Sequence, residues 1–205
     1  MTHSATWPAL SNVSKVDVIS AFHRLRIKEG HEPLTAFRTH YGAYEWLVTP
    51  FGLCGAPAAF RRYINSVLSP WLGISCSAYL DDVVIYSSGS RQEHRDLVKK
   101  IIRALGDSGL QLDWDHSDFE SSSIEYLGFI IEPGVGIRAD PDKIKAILEW
   151  EPPTTLCGVR GFLAFTGFYR CFVEDYSTLA APSRLSLKRT NPSIGKMNNS
   201  EPLMP

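Results

Sequence analysis

Apolar positions along the chain switch between a period of two and a helical period, and each switch predicts an element. Lys15-Val16-Asp17-Val18-Ile19 predicts a short strand, followed by a turn or short helix around Ser20-Ala21-Phe22. Leu25-Arg26-Ile27-Lys28 and Thr35-Ala36-Phe37-Arg38-Thr39 both alternate and flank Glu29-Gly30-His31-Glu32-Pro33, which predicts a hairpin. Tyr44 to Val48 continues the β content, and the run from Pro50 to Pro57 reads as a loop. Pro57 suits the first turn of a helix over 58–68, closed by Ser69-Pro70. Ala78-Tyr79-Leu80-Asp81-Asp82-Val83-Val84-Ile85-Tyr86 predicts a strand pair with the two acids at its apex. Leu97, Val98, Ile101, Ile102 and Leu105 mark one face of a helix from Arg91 to Leu105, stopped by Gly106 or Gly109. Strands are expected over 110–112 and 124–131. Asp140 then caps a helix that has Pro141 in its first turn and reaches Trp150, where Pro152-Pro153 breaks it. A Phe-rich helix over 156–176 follows, capped by Thr154 or Thr155, and the polar tail after Pro182 reads as disordered. Strand, helix, strand pair, helix, strand is the order of an α+β fold with helices on one face of a sheet.

The composition allows a genuine core: 205 residues, 44% hydrophobic and 11% aromatic. A formal charge of −1 hides an uneven distribution, because residues 113–151 alone carry a net −7 while 1–62 and 152–205 each carry +3. Cys54, Cys76, Cys157 and Cys171 form no C-x-x-C pair, which predicts reduced thiols and argues against a zinc site. No basic-then-apolar leader and no apolar run of about 20 residues is present, so an intracellular, non-secreted protein without a membrane partner is expected.

Asp81 and Asp82 sit inside an apolar, β-branched run, where unpaired charge is costly and adjacent carboxylates repel. A polar turn is the plain reading. The chemical reading is a cation site, since Mg²⁺ is held by one or two carboxylates together with substrate phosphates. Asp17 is the candidate third carboxylate, although a strand-edge pairing with Lys15 or Arg24 explains it equally well.

With these residues in view, the chain resembles the reverse transcriptase of a gypsy-type LTR retrotransposon. KVDVISAFHRLRI resembles the first catalytic block, and TAFRTHYGAYEWLVTPFGLCGAPAAFRRYIN the template and nucleotide-pocket block. AYLDDVVIYS carries the YxDD motif, IEYLGFII resembles the primer-grip hairpin, and GVRGFLAFTGFYRCFVEDYSTLAAP the thumb-side helices. The blocks run in the family's order over residues 14–183.

The resemblance implies a right-hand polymerase palm, an antiparallel sheet with helices on one face, followed by a helical thumb-like segment. It implies RNA-directed DNA polymerase activity on an RNA or DNA template with a primer and dNTPs. Asp17, Asp81 and Asp82 would bind two Mg²⁺, with Mn²⁺ as the substitute ion. Phe22 would select deoxyribose, with plain core packing as its alternative, and Phe51 and Gly52 would meet the nucleotide. Arg61, Arg62, Tyr79, Tyr126, Leu127 and Gly128 would contact nucleic acid; ordinary surface arginines and hairpin core are their alternatives. His116 falls where the family keeps a lysine as general acid, and Asp113, Asp115 and Asp118 are expected to raise its pKa. The implied segmentation is an unpatterned 1–13, a palm with partial fingers over 14–135, thumb- or connection-like helices over 136–183 and a tail over 184–205. Most of the fingers and an RNase H segment would lie outside this chain. The other reading is a catalytically inert retrotransposon remnant or weak nucleic-acid-binding module.

Overall fold

β1 (Asn12–Val18) is an inner strand of the main sheet, with core on both of its faces. Ser14, Val16 and Val18 point to one side and Val13, Lys15 and Asp17 to the other. The structure is a computed structural model that describes residues 10–181, so the expected disorder over 184–205 lies outside the described residues. These residues divide into two compact units, 10–138 and 139–181.

In the first unit β1 pairs antiparallel with β5 (Asp82–Ser87) and β6 (Leu112–Asp118), and β5 pairs with β4 (Cys76–Tyr79), giving the order β4-β5-β1-β6. Two amphipathic helices, α1 (Ala56–Val67) and α2 (Arg91–Asp107), cover one face. Phe60, Ile64, Ile101 and Leu105 pack there on Val16, Val18, Val83 and Ile85, all of them almost fully buried. The opposite face is covered over part of its length by β7 (Ile124–Tyr126) and β8 (Phe129–Glu132), which close a second core with Val13, Val84 and Tyr86. β9 (Gly136–Ala139) completes that three-stranded sheet. The fold is the α+β arrangement read from the sequence.

α2 begins with a capping box: the Ser90 hydroxyl accepts from the Glu93 N–H while the Glu93 carboxylate accepts from the Ser90 N–H. Ser90→Ala should therefore cost about 1 kcal/mol in urea denaturation, with the slope of the transition unchanged.

The expected pairing of 25–28 with 35–39 does not form. Arg26 bridges Val48 instead, Glu32–Thr35 coils into a 3₁₀ turn, and β2 (Phe37–Thr39) pairs with β3 (Gly42–Tyr44). Thr35 explains the change, because its hydroxyl accepts the Trp46 N–H at 2.9 Å and draws the later segment in.

The second unit opens with α3 (Pro141–Leu148), capped by the Asp140 carboxylate on the Asp142 N–H as expected. α4 (Leu156–Phe168) is capped by the Thr155 hydroxyl on the Gly158 N–H. It ends eight residues before the expected Tyr176: Gly158, Gly161 and Gly167 weaken it, and the Tyr169 N–H closes the last turn on Thr166 and Gly167. Trp150 packs on Phe162 and Phe165, with ring centroids 5.7 and 5.4 Å apart.

Candidate active site

Register brings the acids together. Asp17 on β1 lies directly opposite Asp82 on β5 and opposite Asp113 on β6, so three carboxylates share one row of the sheet. They lie on the face away from α1 and α2. Asp81 occupies the two-residue turn between β4 and β5, and its carbonyl accepts the Val18 N–H at 3.0 Å. Its neighbour Leu80 has φ +54°, a left-handed conformation unfavourable for a leucine. Such strain, about 1–3 kcal/mol, accumulates where the backbone must present particular groups.

The electrostatics of the row are unsettled. Burial pushes the Asp17 pKa up, and repulsion from Asp81, Asp82 and Asp113 adds to it, against a smaller opposing pull from Lys15. Lys15 Nζ sits 2.9 Å from Asp82 Oδ1, two residues before Asp17 on the same face of β1. Lys15 thus pairs with Asp82 rather than Asp17, and Arg24 goes to the Gln111 side chain. Among the described residues, no three His, Cys, Asp or Glu side chains enclose a metal-sized site. The donor set nevertheless suits a hard divalent cation. It offers carboxylate oxygens only, with mutual repulsion that a cation would relieve and one lysine already acting as counter-charge.

Phe22 is half-buried, with its ring 5.7 Å from Phe51 and 6.0 Å from Phe60, both edge-on. It packs against the rim of the core that α1 and α2 cover. Phe51 is 70% exposed and also stacks edge-on with His23. Gly52 has φ +88° with open space where a Cβ would lie, so glycine is needed there for its backbone conformation. Arg61 and Arg62 are exposed on α1, and the Arg61 guanidinium lies 5.9 Å over the Tyr79 ring, beside the Leu80-Asp81 turn.

Tyr126 is buried, its hydroxyl 3.0 Å from the Ser77 hydroxyl. It supports the β7–β8 hairpin from within, leaving Leu127 and Gly128, at φ +52° and +76°, as the two-residue tip. A leucine in that conformation is the second such exception in the unit.

His116 is exposed on an irregular stretch of β6. Asp113 and Asp115 surround it, and its Nδ1 lies 2.9 Å from Asp113 Oδ2. The Asp113 carboxylate, followed by Asp17 and Asp115, holds the His116 pKa above the ordinary imidazole value. Sequence reasoning overlooked Lys15 as the partner of Asp82, although its i−2 spacing from Asp17 places both on one face. It also overlooked Asp113 as the third member of the row.

Residues 6–131 match the family described as "Reverse transcriptase (RNA-dependent DNA polymerase)". The chain belongs to that family. It is 37% identical over 182 residues to the Retrovirus-related Pol polyprotein from transposon opus of Drosophila melanogaster, covering 87% of this chain and 18% of that protein. It is 34% identical over 181 residues to the corresponding polyprotein from transposon gypsy of the same organism, covering 88% and 17%. The chain therefore spans less than a fifth of these relatives, and the gypsy-type resemblance holds. Among solved structures, a foamy viral protease-reverse transcriptase in complex with ds DNA superimposes with a TM-score of 0.79 at 24% identity, covering 91% of this chain and 32% of that one. The foamy viral protease-reverse transcriptase in complex with RNA/DNA hybrid gives 0.74 at 23%, covering 88% and 24%. These likenesses establish the fold. No helix among the described residues is long and apolar enough to cross a membrane.

Proposed function

We propose that this chain carries the nucleotidyl-transfer site of an RNA-directed DNA polymerase, extending a primer 3′-hydroxyl with dNTPs on an RNA or DNA template. The observation that carries the reading is the pairing of Asp17 with Asp82 beside the strained Leu80-Asp81 turn. Asp17, Asp81 and Asp82 would hold two Mg²⁺ or Mn²⁺ ions, with Asp82 exchanging its Lys15 contact for metal. Those ions, when bound, would acidify the primer hydroxyl and neutralise the triphosphate and the departing pyrophosphate. The chain's own groups then orient and protonate. Phe51 and the Gly52 backbone would border the nucleotide, and Phe22 beneath the sugar would exclude a 2′-hydroxyl. Arg61, Arg62 and Tyr79, with the Leu127-Gly128 tip braced by Tyr126, would meet the nucleic acid. His116 would donate a proton to the leaving pyrophosphate. Residues 14–135 would form the palm with partial fingers, and 136–183 the thumb-like helices.

Primer extension with Mg²⁺ and dNTPs tests the reading, and metal-dependent product is expected. Phe22→Ala should raise ribonucleotide incorporation relative to deoxyribonucleotide by about tenfold. The Lys15–Asp82 pair favours the second reading, a non-catalytic nucleic-acid-binding remnant. Primer–template binding in a mobility shift without any extension would decide for that alternative.

A further inference from the structure

We propose that Asp113 is the positioning residue of the site, shaping the bulge of β6 and holding His116 by its Nδ1 so that Nε2–H is the group it presents; this rests on the polymerase reading above. Lys15 pairs with Asp118 and Asp17 with Asp113, so β1 advances from 15 to 17 while β6 runs from 113 to 118. Trp114, Asp115, His116 and Ser117 thus lie opposite the single residue Val16 and form a bulge, the kind of irregularity that re-aims a side chain.

Asp113 ties that bulge together. Its Oδ1 accepts the Asp115 N–H at 3.0 Å and the His116 N–H at 3.2 Å, and its carbonyl accepts the Ser117 hydroxyl. Ser117 Oγ in turn accepts the Asp17 N–H at 3.2 Å, which fastens the bulge to the candidate metal ligand. Asp113 Oδ2 is left for His116 Nδ1 at 2.9 Å. With Nδ1–H committed to Asp113, Nε2–H is the proton His116 can give away; it has no partner among the described residues.

An exposed ion pair is ordinarily weak, since two mobile side chains must be held in one geometry. Here the carboxylate is already fixed by the two backbone N–H groups, so only the imidazole has to be ordered. The charges facing His116 are Asp113 and Asp115 from its own strand and Asp17 from β1; the Asp113 carboxylate in contact with Nδ1 is the one that favours the imidazolium whether or not a cation takes up the charge of Asp17. A lysine needs no such help at neutral pH, whereas an imidazole, with an ordinary pKa of about 6.5, does.

Asp113→Asn separates the roles, because its amide oxygen can still accept both N–H groups while the charge is gone. Imidazole NMR titration of the full chain should show the His116 midpoint above the ordinary histidine range and lowered in Asp113→Asn, with a smaller shift in Asp115→Asn. An unchanged midpoint in Asp113→Asn overturns the pairing whether or not the chain polymerises. In primer extension, Asp113→Asn should lose about fivefold at pH 8 and move the alkaline limb of the rate profile to lower pH. Adding His116→Lys to Asp113→Asn should recover the loss. A loss equal at all pH values and not recovered by lysine would overturn the positioning role. Absence of extension in the unmodified chain, with the titration behaving as stated, would instead count against the polymerase reading alone.

Discussion

Asp17→Asn and Asp81→Asn should each lower metal-dependent primer extension by at least about 10³-fold, because transition-state charge is then left without its cations. The same substitutions should not destabilise the metal-free protein, and Asp17→Asn should stabilise it. Burial and three neighbouring acids raise the Asp17 pKa. An acid whose folded pKa lies above its unfolded value holds more protons folded than unfolded, so it weakens the fold at neutral pH and less so as pH falls through the folded pKa. Replacing it with a neutral amide removes that burden at pH 7.5. Thermal melts without metal should place Asp17→Asn above the parent chain. Metal should stabilise the parent but not the variants by mass action, about 1.4 kcal/mol when free ion is ten times Kd. Equal metal-induced shifts in the parent and both variants, or extension that survives either substitution, would remove these carboxylates from the site.

What the sequence disclosed follows from how local each signal is. Asp140-Pro141 marks a helix start by its own chemistry, and the Asp142 N–H meets Asp140 where expected. The acids at 17, 81 and 82 stand out because each interrupts a β-branched run, and strand pairing then does what the pattern requires. The bulge over 114–117 is half local: Asp113 closes it on the Asp115 and His116 N–H groups, but its seat beside Asp17 depends on Ser117 meeting β1, about a hundred residues away. Leu80 and Leu127 defeat turn reading for a related reason: leucine is disfavoured at positive φ, and only pairing on both sides of each tip holds it there. Tyr126 shows a third limit. Alternation places Ile124 and Tyr126 on one face but does not say whether that face meets ligand or core, and here the ring is only 6% exposed.

His94 was silent in the sequence and carries the other large effect expected of this fold. It is fully buried at the fourth position of α2, with Nε2 2.9 Å from the Ser14 hydroxyl and Nδ1 3.0 Å from the Ser87 hydroxyl. Ser14 Oγ also accepts the Glu120 N–H at 3.0 Å, so one imidazole joins β1, β5, α2 and the segment leading to β7. Burial pushes the His94 pKa down, and nearby Glu120 offsets only part of this. A positive charge near a helix N-terminus is disfavoured as well. The unfolded chain therefore takes up a proton that the folded chain refuses. Stability is complete above the unfolded imidazole pKa of about 6.5 and is lost as pH falls below it, by at most about 1.4 kcal/mol per pH unit. His94→Ala should cost about 2–4 kcal/mol at pH 7.5, because it opens a cavity and takes the imidazole partner from the buried Ser14 and half-buried Ser87 hydroxyls. It should also flatten the acid slope in urea denaturation between pH 7.5 and 5. If the variant keeps the parent's slope, the acid sensitivity belongs to another group. Since the ladder that His94 secures through Ser14 and Ser87 is the one on which Asp17 meets Asp82, metal-induced stabilisation should weaken in His94→Ala even where the variant remains folded.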